Sequence, residues 1–457
     1  MSALVLAGAP HLLAMASHLL AAAPTPGAIS PGPVAPFPVT AIPPGLGRGL
    51  SARGWLESVW VCVAIGVLAV IAGYAGVFLP LRGRAWKRGW RGRLRTASGV
   101  IVTISLLLLS VAAGVNSYAG YLPSISAVNA KFFGERPPVL PPADPAPAPV
   151  GKGPKRPGGG ASGGAQPTPT LPPPPTTNVA PLTRSQLVQL PLHAPDYGLD
   201  DAPAYVYLPP GYAPTGPKWP VLVMIGGAPG STDDWVQPGN INGVMDRLIH
   251  DHIIKPFVIV MPTTNPDLFS DDECLNSVRA GRPRVESYLI EVVMPAITEQ
   301  LNVSGDRHLH AIAGFSAGAD CALNVGLRNL SLFSAIGTIE AQGRPGFKAE
   351  NRMLDGRPDL IRANSPIDYI PTMTFDQSLV VYLNAAGSFD TPANDQLQRE
   401  LQGRGVYVYR HDEKGFGHNW RDAREDLPWL LSFMSSAFNA PTPTNPPLPG
   451  VAATPTP

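Results

Sequence analysis

Residues 308–327 read HLHAIAGFSAGADCALNVGL, and this stretch decides the predicted fold. It begins as an apolar strand, passes through GFSAG centred on Ser316, and continues with a helical pattern. G-x-S-x-G between a strand and a helix is typical of a nucleophile elbow, a sharp turn that presents a serine hydroxyl at a helix N-terminus. The flanking glycines remove Cβ atoms that would crowd such a turn. A packing turn whose serine merely caps the helix is the alternative interpretation.

The sequence around this stretch alternates between apolar runs typical of strands and helical patterns from residue 184 to residue 440. The predicted strands are 204–208, 221–225, 257–261, 309–313, 335–339, 379–383 and 406–409. The predicted helices are 242–250, 286–301, 317–327, 392–402 and 421–438. Such alternation predicts a mostly parallel central sheet with helices on both faces. With the elbow, the predicted fold class is α/β, and specifically an α/β-hydrolase fold.

A serine nucleophile needs a base, and that base needs an acid to orient it. Hydrolases of this class carry the three groups in the order serine, acid, histidine. Two histidines follow Ser316 in the sequence. His411 ends a predicted strand, whereas His418 lies in a glycine-bracketed loop beyond a strand, where this fold assembles sites. We therefore predict that His418 is the base.

The acid has three candidates. Asp390 lies in the loop that follows the predicted strand 379–383. Asp395 falls one turn into the next predicted helix, where a solvated surface carboxylate is the simpler interpretation. Glu340 stands at the end of the predicted strand 335–339. Asp390 is the predicted acid, and the other two remain alternatives.

An oxyanion hole requires two backbone N–H donors, one after the nucleophile and one from the loop after an earlier strand. Ala317 supplies the first donor. The glycine-rich loop after strand 221–225 supplies the second, from Gly227 or Ala228, because Pro229 has no N–H. Simple turn glycines are the alternative interpretation of this loop.

These motifs together resemble one family. Residues 203–438 are similar to the esterase family of α/β-hydrolases that includes esterase D, bacterial feruloyl esterases and mycobacterial mycolyltransferases. The segments that carry the resemblance are VLVMIGG (221–227), STDDW (231–235), ESYLIEVVMP (286–295), AGFSAG (313–318), GSFD (387–390) and GHNW (417–420). The resemblance implies that Ser316 is the nucleophile, His418 the base and Asp390 the acid. Many relatives have His-Gly where this chain has Gly226-Gly227, which leaves the second oxyanion donor open.

The N-terminal region has a different character. Residues 59–81 and 99–119 are uncharged apolar runs, each long enough to cross a bilayer. Together they predict a transmembrane hairpin over 56–120, whose loop 82–96 carries seven cations and should remain cytoplasmic. The predicted localisation is therefore the cell membrane, as a multi-pass protein with an extracytoplasmic loop at 25–55 and an extracytoplasmic catalytic domain. Residues 1–24 are apolar, and a signal peptide, a third spanning helix or an interfacial helix all remain open.

The composition separates these parts. The chain has 457 residues with 55 prolines, 47 glycines and a formal net charge of +1. The prolines concentrate in 121–183, a predicted linker before the hydrolase domain 184–440, and in the predicted disordered tail 441–457. A near-neutral chain argues against a nucleic-acid partner. No sequence feature specifies an oligomeric state.

The cysteines and histidines carry further expectations. Cys274 and Cys321 both lie in the predicted extracytoplasmic domain, where pairs tend to oxidise, so we predict a disulfide between them. Cys62 lies in a predicted membrane helix. The His-x-His pairs at 250–252 and 308–310 have no accompanying carboxylate cluster, and we predict no metal and no cofactor.

The sequence thus predicts a membrane-anchored, extracytoplasmic serine esterase that acts through an acyl-enzyme. Its expected partners are the lipid bilayer and an acyl ester substrate, either a small molecule or an envelope lipid. An acyltransferase that moves an acyl chain to a sugar hydroxyl is the first alternative, implied by the mycolyltransferase likeness. A catalytically silent cell-wall binding module is the second.

Overall fold

The computed structural model describes residues 37–50, 52–83, 89–134, 136–140, 180–267, 270–385, 387, 391–412 and 417–440. The predicted N-terminal segment 1–24, the predicted tail 441–457 and Asp390 lie outside these residues. Most of the proline-rich stretch of the predicted linker does as well.

Among the described residues, eight strands form one sheet in the order β1-β2-β4-β3-β5-β6-β7-β8. The strands are β1 Gln186–Leu190, β2 Ala204–Leu208, β3 Val221–Ile225, β4 Val258–Met261, β5 His310–Phe315, β6 Ala335–Ile339, β7 Val380–Asn384 and β8 Tyr407–Arg410. β2 pairs antiparallel with β1 and with β4, and the remaining neighbours are parallel. This mostly parallel sheet confirms the predicted α/β-hydrolase class.

Helices cover both faces of the sheet, and others form the N-terminal region. In chain order, the helices of both groups are α1 Pro44–Leu50, α2 Val59–Gly73, α3 Leu79–Arg82, α4 Trp90–Ala119, α5 Ile125–Phe133, α6 Ile241–His250, α7 Val285–Tyr288, α8 Met294–Gln300, α9 Ala317–Arg328, α10 Phe347–Met353, α11 Pro358–Ala363, α12 Pro366–Tyr369, α13 Thr391–Gly403 and α14 Trp420–Asn439. The central strands are buried along their whole length, as expected for parallel strands covered on both sides. Side chains of β3 alternate between two cores, with Val223 and Ile225 in one and Leu222 and Met224 in the other.

Each predicted strand begins and ends within two residues of an observed strand. The prediction did not include β1 or the short helices between β6 and β7. β1 is an edge strand of sequence QLVQL, and its glutamines lower the apolar content on which a strand prediction depends. Helices α10 to α12 have seven, six and four residues, which is too short for a helical period to emerge.

Two helices among the described residues are long and apolar enough to cross a membrane. The first, Val59–Arg82, runs from α2 through a π-helical segment, Tyr74–Phe78, into α3, and the second is α4. They pack against each other through small residues. A Cβ added to Gly99 would lie 2.2 Å from the carbonyl oxygen of Gly76, so the two backbones touch. Ser110 Oγ also donates to the carbonyl oxygen of Cys62 at 2.9 Å. Close backbone approach and an interhelical hydroxyl bond are characteristic of helix pairs in membranes.

The segment after α4 differs from the predicted linker 121–183. Ser124 caps α5 by accepting a hydrogen bond from the Ala127 amide at 3.1 Å. Further on, the Leu140 amide donates to the carbonyl oxygen of Gln189 at 2.7 Å, beside β1. The start of the predicted linker therefore contacts the hydrolase domain through hydrogen bonds, which a count of prolines does not reveal.

The structure pairs Cys274 with Cys321 in a disulfide, as the sequence analysis expected, with 5.2 Å between the two Cα atoms. The bond joins the segment that follows β4 to helix α9, and it closes a loop of 47 residues. It therefore fastens the helix that begins at the predicted nucleophile to a neighbouring loop.

Candidate active site

The turn between β5 and α9 has the geometry of a nucleophile elbow. Ser316 lies between the two elements with φ 58° and ψ −125°, a backbone conformation that residues other than glycine rarely adopt. The turn is so tight that a Cβ on Gly314 would lie 2.1 Å from the carbonyl oxygen of Gly318. A Cβ on Gly318 would in turn lie 2.3 Å from the carbonyl oxygen of Gly226. Both glycines of the pentapeptide are therefore required by packing.

His418 lies against the serine. Its Nε2 is 2.6 Å from Ser316 Oγ, within hydrogen-bonding distance. The next residue, Asn419, caps α14 by accepting from the Arg421 amide at 2.9 Å, which fixes where the histidine loop ends. The other candidate base, His411, instead pairs through Nδ1 with Asp426 at 2.9 Å. The structure thus brings His418, and not His411, to Ser316.

Glu340 occupies the other side of the His418 ring. Its Oε2 lies 2.5 Å from His418 Nδ1, and its side chain is fully buried. Asp395, the second alternative, is half exposed and pairs with Arg410 at 3.2 Å. Asp390, the predicted acid, lies outside the described residues. Among the described candidates for the acid, Glu340 is therefore the one that contacts His418, although Asp390 is the predicted acid.

A topological signal could have identified Glu340. It directly follows β6, just as Ser316 directly follows β5, and the two strands are parallel neighbours with Phe315 paired to Ile339. Two residues that follow paired strand ends must lie side by side at the same edge of the sheet. Glu340 also has a positive φ of 63°, which turns the chain sharply at the strand end.

The loop after β3 reaches the nucleophile from the side. A Cβ placed on Gly227 would be 3.4 Å from Ser316 Cβ and 3.3 Å from the carbonyl oxygen of Phe315. Gly227 therefore lies in contact distance of the elbow, and Ala228 follows it. The N–H groups of Ala317 and of Gly227 or Ala228 remain the predicted oxyanion donors.

A cavity of about 200 Å³ opens beside this loop. It lies at the carboxyl ends of β3 and β4, where ligands bind in open α/β sheets. Its walls include Gly226, Gly227, Trp235, Met261 and Thr263, a mixture of apolar surface with hydroxyl and backbone groups. The cavity and the elbow therefore share Gly227, which lines the cavity and is in contact distance of Ser316.

Two carboxylates, the buried Asp320 and the partly buried Glu273, support the chain after Glu340. Asp320 Oδ1 accepts from the amides of Gln342 at 2.9 Å and Gly343 at 2.7 Å. Burial raises the pKa of Asp320 to about 7, although these backbone hydrogen bonds and the nearby His418 lower it. Glu273 accepts from the Gly346 amide at 2.9 Å, and burial together with the charge of Asp320 raises its pKa well above the ordinary value. The acids thus hold the loop that leaves the site.

The raised pKa of Asp320 predicts a pH dependence of stability. Between about pH 4 and pH 7 the unfolded carboxyl loses its proton while the folded one keeps it, so the folded state binds more protons and its stability falls as pH rises. The difference in pKa corresponds to at most about 4 kcal/mol. We expect Asp320→Asn to gain thermal stability relative to the unmodified chain as pH increases through this window. Parallel curves of Tm against pH for the two proteins would contradict the assignment.

The histidine pairs examined for metal binding have other contacts. His310 Nε2 lies 2.6 Å from the carbonyl oxygen of Ser304, and His250 Nδ1 lies 2.9 Å from Asp251. Within the part of the chain that the structure describes, no group of three or more His, Cys, Asp or Glu side chains is arranged to hold a metal ion.

Comparison with known proteins bears on the same region. Residues 200–343 match the family described as "Putative esterase". This part of the chain is similar to that esterase family. The match contains the glycine-rich loop after β3, the elbow with Ser316, and Glu340, and it supports the predicted class of enzyme, a carboxylic ester hydrolase of the serine type.

Two curated relatives share part of the sequence. An uncharacterised protein of Corynebacterium glutamicum is 27% identical over 220 residues, covering 46% of this chain and 50% of the relative. An endo-1,4-beta-xylanase/feruloyl esterase of Xylanibacter ruminicola is 29% identical over 140 residues, covering 30% of this chain and 19% of the relative. The chain therefore spans half the length of one relative and about a fifth of the other.

Solved structures of similar fold include a ferulic acid esterase with 23% identity, which covers 56% of this chain and 100% of its own, at a TM-score of 0.49. An S-formylglutathione hydrolase from Agrobacterium tumefaciens has 15% identity and covers 56% of this chain and 95% of its own, at a TM-score of 0.47.

Proposed function

We propose that this protein is a serine esterase in which Ser316 is the nucleophile, His418 the general base and Glu340 the acid that orients it. The observation that carries the proposal is the continuous contact from Ser316 Oγ to His418 Nε2 at 2.6 Å and from His418 Nδ1 to Glu340 at 2.5 Å. A buried carboxylate at Nδ1 keeps the second proton of the ring there, so Nε2 is free to accept the serine proton.

The proposed reaction proceeds in two halves. Ser316 Oγ attacks the ester carbonyl while its proton passes to His418 Nε2, and the negative charge moves to the carbonyl oxygen. The N–H groups of Ala317 and of Gly227 or Ala228 bind that oxyanion. The tetrahedral intermediate collapses, the carbon–oxygen bond to the alcohol breaks, and His418 returns its proton to the leaving alcohol. Water then attacks the acyl-Ser316 ester by the same route and releases the acid.

Glu340 stabilises the imidazolium that forms in each half. Its side chain is fully buried, so solvent screens little of its attraction to the positively charged ring. A carboxylate in that place also prevents the ring from rotating out of line with Ser316. The arrangement therefore supports catalysis over a silent binding module, which would have no use for a buried acid, base and serine in line.

The substrate proposed is a carboxylic ester of modest size on at least one side of the carbonyl. The cavity of about 200 Å³ beside Gly227 supports this choice, since its volume suits a compact acyl or alcohol group. One relative carries a feruloyl esterase activity in its name, so esters of aromatic acids are the first substrates to examine.

The chain is also proposed to be anchored in a membrane by its helical hairpin, with the hydrolase domain outside the cytoplasm. The two apolar helices and their small-residue interface support the anchoring. Arg91, Arg93 and Arg95 at the start of α4 support a cytoplasmic connection. In intact cells, an impermeant thiol reagent should label Lys218→Cys but not Arg93→Cys. The reverse pattern would overturn the orientation.

Trapping the acyl-enzyme tests the esterase proposal. The full chain in detergent is mixed briefly with p-nitrophenyl acetate, quenched in acid and digested for mass spectrometry. The peptide that contains Ser316 should gain one acetyl group, and Ser316→Ala should gain none while p-nitrophenol release ceases. Acetylation confined to other residues, or none with continued turnover, would refute the nucleophile assignment.

A further inference from the structure

We infer that the segment directly after α4 positions the oxyanion loop of the catalytic domain, with Tyr121 and Lys131 as the positioning residues. The oxyanion loop is defined here as residues 226–231. The inference rests on the proposed esterase function, and it assigns a catalytic consequence to a part of the chain that lies more than 90 residues before that loop. Neither residue lines the cavity beside that loop. Tyr121 acts on the loop through Asp234, and Lys131 acts both through Asp234 and through Ser231 directly.

Asp234 is the meeting point of this network, and its side chain is fully buried. The Tyr121 hydroxyl donates a short hydrogen bond to Asp234 Oδ1. Lys131 Nζ lies 3.3 Å from the same oxygen, and it also contacts Asp233 at 2.6 Å and Ser231 Oγ at 2.5 Å. The membrane-proximal segment therefore supplies a cation and a hydroxyl to one buried carboxylate.

Asp234 in turn holds the oxyanion loop. Its Oδ2 accepts from the Ser231 amide at 3.0 Å. A Cβ on Gly230 would lie 2.4 Å from that same Oδ2 and 2.3 Å from the carbonyl oxygen of Gly227. Gly230 therefore packs closely between the Asp234 carboxylate and Gly227. Gly227 is itself in contact distance of Ser316. A shift of Asp234 must move the loop that contains the proposed oxyanion donors, Gly227 and Ala228.

The charge of Lys131 opposes the effect of burial on the pKa of Asp234. Burial raises the pKa of Asp234, whereas the Lys131 ammonium and the hydrogen bonds from Tyr121 and Ser231 lower it. Burial by itself would lower the pKa of Lys131, but Asp234 and Asp233 raise it above the ordinary value. An ionised acceptor makes a shorter and stronger bond to a backbone N–H than a neutral one does. A buried carboxylate without its cation would be costly to keep charged.

The segment is fastened at its start as well. Arg424 on α14 forms two hydrogen bonds to Glu57, at 2.8 and 3.0 Å, and both side chains are buried. The same guanidinium donates to the carbonyl oxygen of Gly120 at 2.8 Å. The Tyr121 ring packs edge-on against Trp420, with 6.4 Å between centroids. The end of the apolar hairpin is therefore bound to the helix that begins two residues after the catalytic histidine.

The test uses the full chain in detergent and compares Lys131→Met with Lys131→Arg. Lys218→Met is the matched control, since Lys218 is an exposed lysine of the hydrolase domain. Turnover of p-nitrophenyl acetate is normalised to the fraction of active sites that a fluorophosphonate labels. Lys131→Met should lower kcat about tenfold with KM changed less than about twofold, because a displaced oxyanion donor weakens transition-state binding more than ground-state binding. Lys131→Arg should recover most of the loss, and the control should match the unmodified chain.

Hydrogen exchange gives a readout that does not depend on turnover. Amides of residues 226–231 should exchange faster in Lys131→Met and also in Tyr121→Phe, which removes only the hydroxyl and serves if the lysine variant folds poorly. Unchanged kcat per active site in both variants, with Ser316→Ala inactive, would overturn the positioning role and leave the esterase proposal intact. If the unmodified chain neither turns over ester nor forms an acyl-enzyme, the proposed function fails. Exchange at 226–231 then decides whether the segment holds the loop.

Discussion

Replacing Ser316 by alanine should lower kcat/KM for ester hydrolysis by about 10⁴-fold or more, since loss of the nucleophile in a serine triad costs about six orders of magnitude where it has been measured. The alanine side chain keeps the Cβ that Ser316 already places in its strained backbone, with φ 58°. The elbow should therefore remain folded, and what is lost is the oxygen 2.6 Å from His418 Nε2. Initial rates with p-nitrophenyl esters measure the effect.

The control for this variant is Ser185→Ala. Ser185 donates to Asp246 at 2.8 Å just before β1, at the far edge of the sheet, so removing its hydroxyl tests serine substitution without touching the site. It should retain full activity. An activity of Ser316→Ala within tenfold of the unmodified chain would mean that ester cleavage at this protein does not pass through acyl-Ser316.

The elbow and the choice of His418 as its partner could be predicted from sequence because local features indicate them. A strand, two glycines and a helix must follow one another for Ser316 to sit as it does, and His418 follows the last strand of an ordered series. The central strands of the sheet could be predicted for the same reason, since each is a short apolar run. Each of these features can be recognised from residues that are close together in the sequence.

The contact of Glu340 with His418 depends on which strands are neighbours, and a single sequence does not state strand order. The sequence favours Asp390, after a later strand, and leaves Glu340 as an alternative, whereas β6 pairs directly with β5 and brings Glu340 beside the elbow. Lys131 shows the same limit more strongly, because its three partners lie about 100 residues further along the chain. A proline-rich neighbourhood also gave no reason to expect a folded helix at α5.

The acid can be assigned by comparing Glu340→Gln with Asp390→Asn. Glu340→Gln should lower kcat/KM by about 10³-fold to 10⁴-fold, the loss that follows when a triad carboxylate is replaced by its amide. The amide carries no charge to stabilise the imidazolium, and its N–H can face His418 Nδ1 and favour the ring form that has its proton on Nε2. In that form the base cannot accept the proton of Ser316. Steady-state rates at several pH values would record this loss.

Asp390→Asn is the matched change at the other candidate, with the same loss of one charge and nearly the same volume. If Glu340 is the acid, this variant should stay within about threefold of the unmodified chain, as expected for a carboxylate that does not orient the base. Glu340→Asp, which keeps the charge but shortens the side chain, should fall between the two because the carboxylate no longer reaches Nδ1 at 2.5 Å. A large loss in Asp390→Asn with near-normal rates in Glu340→Gln would instead transfer the role to Asp390, and would require the carboxylate beside His418 to be structural.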